Sequence, residues 1–98
     1  MTEDSLRTPV LFLIFNRPDL TRRAFAEIRR ARPARLFVVA DGPRGDRPGE
    51  AELCRRAREA IEVDWPCDLK TEFREKNLGA KTGVAAAIDW FFRNVEEG

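Results

Sequence analysis

Apolar residues are distributed along this chain in two textures. Some form short unbroken runs, and others recur every three or four positions. Pro9–Phe15 (PVLFLIF) is an unbroken run with no helical period, and its length suits a strand buried on both faces, as in a parallel sheet. Leu36–Ala40 (LFVVA) is a second run of the same kind. Asp68–Arg74 (DLKTEFR) alternates only in part, with Leu69, Thr71 and Phe73 on one side, the pattern of an outer, half-exposed strand.

Between these runs the period changes. Leu20, Ala24, Phe25, Ile28 and Ala31 fall on one helical stripe, with Pro18 suited to the first turn. Arg23 and Glu27 are spaced to pair on the wet side. Arg29, Arg30 and Arg32 lie where the helix dipole favours cations, and Pro33 stops the helix. A second helix is predicted from about Glu50 to Glu62, with Leu53, Cys54, Ala57, Ala60 and Ile61 facing inward. A third, from about Ala80 to Asn94, carries the strongest stripe: Val84, Ala87, Ile88, Phe91, Phe92 and Val95. Breaks fall at Asn16-Arg17-Pro18-Asp19, at the Gly- and Pro-rich segment 41–49, at Trp65-Pro66, and at residues 75–79. Strand and helix thus alternate three times. That order predicts one α/β unit, with a parallel sheet between helical layers in a Rossmann-like arrangement. Met1–Thr8 reads as a frayed polar leader.

Composition narrows the function classes. The 98 residues are 43% hydrophobic and 36% charged, the balance of a soluble globular domain, and cytoplasmic placement is the expectation. Eighteen basic and 17 acidic residues leave a net charge of +1, which favours neither nucleic acid nor membrane as partner. The arginines cluster at Arg22, Arg23, Arg29, Arg30, Arg32 and Arg35, and again at Arg55, Arg56 and Arg58, and read as solvated helix faces. No aromatics interleave with them as a base-stacking surface requires. No apolar run reaches membrane-spanning length, and no signal-peptide pattern is visible. Cys54 and Cys67 read as ordinary buried thiols in a reducing compartment. Histidine is absent, which removes histidine bases and histidine metal ligands.

Parallel α/β sheets bind ligands beyond the carboxyl ends of their strands. The candidate loops are therefore Asn16-Arg17-Pro18-Asp19, Asp41-Gly42-Pro43-Arg44 and Asn77-Leu78-Gly79-Ala80-Lys81. Asp41 ends an apolar strand. There a carboxylate accepts hydrogen bonds from a ligand N–H, such as a uracil imide, or caps the turn at Gly42-Pro43. Arg17 precedes a helix start, which suits a diphosphate or an ordinary surface arginine. Lys81 sits at a helix start between Gly79 and Gly83, beside a phosphate or simply in solvent. Gly79-Ala80-Lys81-Thr82 is not a phosphate-binding P-loop, because Glu75 and Ala80 occupy its two glycine positions. There is no GxGxxG. Trp65, Trp90, Phe91 and Phe92 read as core rather than as a sugar-stacking platform.

PVLFLIFNRP, a strand ending in ADGP, and REKNLGAKTGVAAAIDWFF occur here in a fixed order after successive strands. Together they resemble the start of a GT-A fold glycosyltransferase. The similarity is to bacterial family 2-type enzymes, including hemolytic-protein-like nucleotide-diphospho-sugar transferases. It is more distant to the eukaryotic N-acetylglucosaminyltransferase that starts complex N-glycans. The resemblance spans about Pro9 to Phe92. It implies that Asn16 and Arg17 lie by the nucleotide, that Asp41, followed by Gly42, holds the base, and that Asn77, Gly79 and Lys81 begin a helix beside it. It also implies transfer of a sugar from a UDP- or GDP-linked donor to an acceptor hydroxyl, with Mn²⁺ or Mg²⁺ held by a DxD-like cluster.

This chain has no D-x-D, and its adjacent acid pairs are Glu3-Asp4 and Glu96-Glu97 alone. The expectation is therefore a single nucleotide-sugar-binding subdomain, residues 1–98. It would be the N-terminal portion of a metal-dependent parent enzyme, inactive by itself, and would end before the DxD-bearing strand. With no fourth strand beside it, the Pro9–Phe15 edge would be open to pairing with a second copy. The alternative is a small non-catalytic α/β interaction or regulatory module. A receiver-type domain fits less well, because Asn16-Arg17 stands where its clustered acids belong.

Overall fold

The two apolar runs and the half-alternating one form a single parallel sheet. In the computed structural model, which describes residues 7–97, the strands are β1 (Val10–Ile14), β2 (Arg35–Ala40) and β3 (Asp68–Phe73). The helices are α1 (Pro18–Ala31), α2 (Glu50–Glu59) and α3 (Ala80–Glu97). Met1–Leu6 of the expected leader lie outside the described residues.

The strand order is β1-β2-β3, with β2 central. Its register runs from Val10↔Leu36 to Ile14↔Ala40 on one side, and from Arg35↔Asp68 to Ala40↔Phe73 on the other. Alternation along β2 divides the core. Leu36, Val38 and Ala40 join Ile14, Phe25, Ala57 and Trp65 beneath α1 and α2. Phe37 points the other way, with its ring edge-on to Trp90 at 5.6 Å and Phe91 at 5.0 Å on α3. The result is three layers, helix pair, sheet and helix, compatible with a Rossmann-like arrangement.

Burial follows position in the sheet. Residues Leu36 to Ala40 of the central strand are 2% exposed or less. β1 departs from the expectation of burial on both faces. It is an edge strand with nothing hydrogen-bonded to its outer side among the described residues, and Leu13 is 40% exposed. β3 is the outer, mostly exposed strand that its pattern predicts.

The helix ends show why the elements stop. α1 begins at Pro18, as Pro at the first helical position allows. It ends at Arg32, which adopts a left-handed conformation (φ 50°) and donates its N–H to the Ile28 and Arg29 carbonyls. α2 ends at Glu59, short of the expected Glu62. The Ala60 and Ile61 N–H groups turn back to the Ala57 and Arg58 carbonyls, and the chain turns toward Trp65. The Trp65 indole N–H, buried in the core, donates to the Pro33 carbonyl at 2.8 Å.

Several arginines differ from the solvated-face reading. Arg58 is half-buried, lies over the Phe73 ring, and donates to the Asp41 and Arg74 carbonyls at 3.2 and 2.6 Å. It thereby ties together the chain just beyond β2 and β3. Arg35 lies over Phe37 and donates to the Asn94 carbonyl. Glu27 pairs with Arg30 rather than with Arg23. Arg55 is solvated as expected, between Glu52 and Glu59. Cys54 is buried and Cys67 half-buried, both free, and burial pushes both thiols above their usual pKa.

Candidate functional site

The loops beyond the three strands meet at one end of the sheet, and their junction rests on Gly42. A Cβ built there would lie 2.7 Å from backbone atoms of Glu75 and Lys76. Only glycine allows the two loops to approach so closely. Asp41 fastens them. Its Oδ1 accepts from the Gly42 and Leu78 N–H groups, both at 2.9 Å. Its Oδ2 accepts from the Gly79 N–H and from Asn77 Nδ2, both at 3.2 Å. Asn77 Nδ2 also reaches the Gly42 carbonyl at 2.9 Å. A carboxylate has about four lone-pair sites, and this one receives four donors from within the chain. It also supplies the negative charge favoured at the start of α3. Gly79, with φ 87°, makes the turn into that helix.

A second carboxylate organises the other side. Glu50 opens α2 and is 4% exposed. It accepts from the Arg44 backbone N–H at 2.8 Å, Arg44 Nε at 3.0 Å, Arg44 Nη2 at 2.6 Å and Asn16 Nδ2 at 2.8 Å. The Arg44 side-chain bonds chiefly, with its backbone N–H and Asn16 adding to them, hold the Glu50 carboxyl down to about 2. Arg44 in turn lies over the Phe15 ring. Asn16 and Arg44, from different loops, are therefore oriented by one buried acid.

A half-open cavity of about 550 Å³ lies at the carboxyl ends of β1 and β2, walled by these loops and by apolar side chains of β1, α1 and α3, among them Leu13, Leu20 and Val84. Asn16, Arg17, Asp41, Asn77 and Gly79 line it, together with Arg44, Arg74 and Thr21. The structure thus brings five of the seven sequence-derived candidates to one place. Gly42 lies behind the lining as the packing point of the two loops, and Lys81 projects into solvent away from the lining. Three arginines face the cavity, in unequal states. Arg44 is paired with Glu50. Arg74, 10% exposed, is paired with Glu72 at 3.2 Å, lies 3.9 Å from Asp41, and donates to the Gly83 carbonyl. Arg17 is exposed and has no ion-pair partner among the described residues.

Sequence reading missed Glu50 and Arg74. Glu50 looks like an ordinary acid in a helix's first turn, and Arg74 like the polar end of an outer strand. Their burial depends on loops that fold back from distant positions. Among the described residues, no group of three or more His, Cys, Asp or Glu is placed to hold a metal ion. Asp41, the cavity's acidic lining residue, is engaged by donors. The described residues do not fit the Mn²⁺ or Mg²⁺ of the resemblance. No described helix is long and apolar enough to cross a membrane.

Comparison with known proteins yields no match, whether to protein-family models, to curated proteins or to solved structures.

Proposed function

We propose that this chain is the nucleotide-binding portion of a GT-A type glycosyltransferase, holding the nucleotide of a UDP- or GDP-linked sugar whose transfer to an acceptor hydroxyl is completed by elements outside these residues. One observation carries the reading. The loops after all three parallel strands contribute to a single cavity at the strands' carboxyl ends, and five candidate residues line it. Such a position is where open α/β sheets receive ligands. Arg17 would meet the diphosphate, as the lining cation not already neutralised by a carboxylate. Arg44 and Arg74 are each already paired with a carboxylate, so the uncompensated positive charge at the cavity is that of Arg17.

A non-catalytic α/β module is the second reading. It is favoured by Asp41, whose carboxylate is occupied by four donors of the chain itself. Titration with UDP and with GDP, followed by amide and arginine side-chain NMR signals, separates the two. The transferase reading expects saturable shifts at Asn16, Arg17 and Gly79, with affinity on the order of millimolar, and weaker binding in Arg17→Gln. Absence of any shift at these residues with either nucleotide favours the module.

A further inference from the structure

One side of the cavity differs in kind from the loops. There the wall is apolar, made by Leu13 of β1, Leu20 and Ala24 of α1, and Ala80 and Val84 of α3. Leu13, Leu20 and Val84 are 40%, 56% and 41% exposed, so this trough lies open beside the unpaired edge of β1. Water against such walls gains few hydrogen bonds, and an apolar group that displaces it is favoured. Charge on this side is distributed unevenly. Arg17, Leu20 and Ala24 are three and four positions apart and so share one flank of α1, with the arginine at the helix start. Arg17 lines the cavity and has no ion-pair partner among the described residues. The start of α1 has no side-chain cap, so the N–H groups of its first turn add to the attraction for an anion. Asp19, the acid of that turn, is paired with Arg22. The carboxylates at the loop end are spent, Asp41 on four donors and Glu50 on Arg44 and Asn16. One uncompensated cation thus stands at the head of an apolar trough.

From this arrangement we propose that the cavity binds a single-chain amphiphile with one anionic head, a carboxylate or a phosphate monoester. The head meets Arg17 at the start of α1, and the chain lies along Leu13, Leu20, Ala24 and Val84. A small polar anion would satisfy Arg17 and leave the trough wet. An uncharged chain would fill the trough and leave Arg17 to water. Only a ligand that carries both parts uses both features, and it places them in the order in which α1 presents them. The volume of about 550 Å³ suits such a ligand, since small-molecule sites run from roughly 300 to 1,000 Å³. The inference goes beyond the nucleotide reading and does not depend on it, because the ligand has no base and needs neither Asn77 nor Gly79.

The test titrates the intact chain with hexanoate, decanoate, decyl phosphate and decanol, each below its micellar concentration, and follows binding by NMR. Saturable shifts are expected at Leu13, Arg17, Leu20 and Val84. Each methylene between hexanoate and decanoate should tighten binding about twofold, the half-burial value in an open trough, and so at least ~10-fold across the pair. Arg17→Gln should weaken decanoate and decyl phosphate about three- to fivefold and leave decanol unchanged. Val84→Glu, at an exposed position, should weaken decanoate ~10-fold or more; Leu20→Glu replaces it should that variant fail to fold. Binding of either anion with these dependences supports the proposal, and the tighter of the two identifies the head. Equal binding of hexanoate and decanoate overturns it, as does an Arg17→Gln chain that binds decanoate like the wild type. Self-association that decanoate does not displace assigns the trough to a second copy and also overturns it. UDP or GDP binding without decanoate or decyl phosphate binding overturns it and leaves the nucleotide reading standing. Decanoate binding with neither nucleotide bound does the reverse.

Discussion

Replacing Asp41 with alanine removes the acceptor for three backbone N–H groups and one side-chain amide at once. The side chain is 16% exposed, so water replaces these bonds only in part. A net value of about 1 kcal/mol for each bond gives a loss of roughly 3–4 kcal/mol. Partial rehydration of the exposed Leu78 N–H pulls the expectation to about 3 kcal/mol. Domains of this size are stable by roughly 5–15 kcal/mol, so the loss is a large fraction of the total. At a urea slope of about 1.5 kcal/mol/M, the unfolding midpoint should fall by ~2 M with the slope unchanged. Asp46→Ala is the control. Its side chain is 85% exposed and 3.6 Å from Arg47, and the midpoint should shift by the equivalent of ~0.5 kcal/mol or less. An Asp41→Ala loss below about 1 kcal/mol would refute the reasoning. It would mean that the donors at Gly42, Leu78 and Gly79 do not depend on the carboxylate, which would then be available to a ligand.

Glu50 makes a pH prediction. Its folded pKa is depressed to about 2 from the usual 4.5, so its contribution is present above 4.5 and is lost as pH falls from 4.5 toward 2. Urea melts across that window should show the stability gap between wild type and Glu50→Gln shrinking with acidity; a constant gap would contradict it. Gly42→Ala places a Cβ 2.7 Å from backbone of the facing loop. It should cost about 1–3 kcal/mol, read by thermal melts, and loosen the junction as judged by hydrogen exchange at Leu78 and Gly79. The open edge of β1 carries no charged residue between Val10 and Ile14. Sedimentation should show concentration-dependent association of the chain that Leu13→Lys suppresses, and a strict monomer at high concentration would count against it.

Local pattern determined much of this protein. Two unbroken apolar runs, one half-alternating run and three helical stripes specify six elements in order, because each element needs a different spacing of apolar residues to bury one side. Pro18, Pro33 and the Gly- and Pro-rich loop mark their limits, because backbone sterics are local. The candidate loops were legible for the same reason: a parallel sheet puts ligand-ready segments after its strands. What only the tertiary structure decided is which side chains those loops engage. Asp41 and Glu50 look alike in sequence, one at a strand end and one at a helix start. Yet Asp41 gathers donors from residues 42 and 77–79, and Glu50 gathers them from residues 16 and 44. The edge position of β1, and with it the exposure of Leu13, likewise depends on strand order, which apolar periodicity does not encode. Hydrogen bonds between residues more than thirty positions apart leave no periodic trace in the chain. The roles of Asn16, Asp41 and Glu50 therefore emerge only when the loops are brought together.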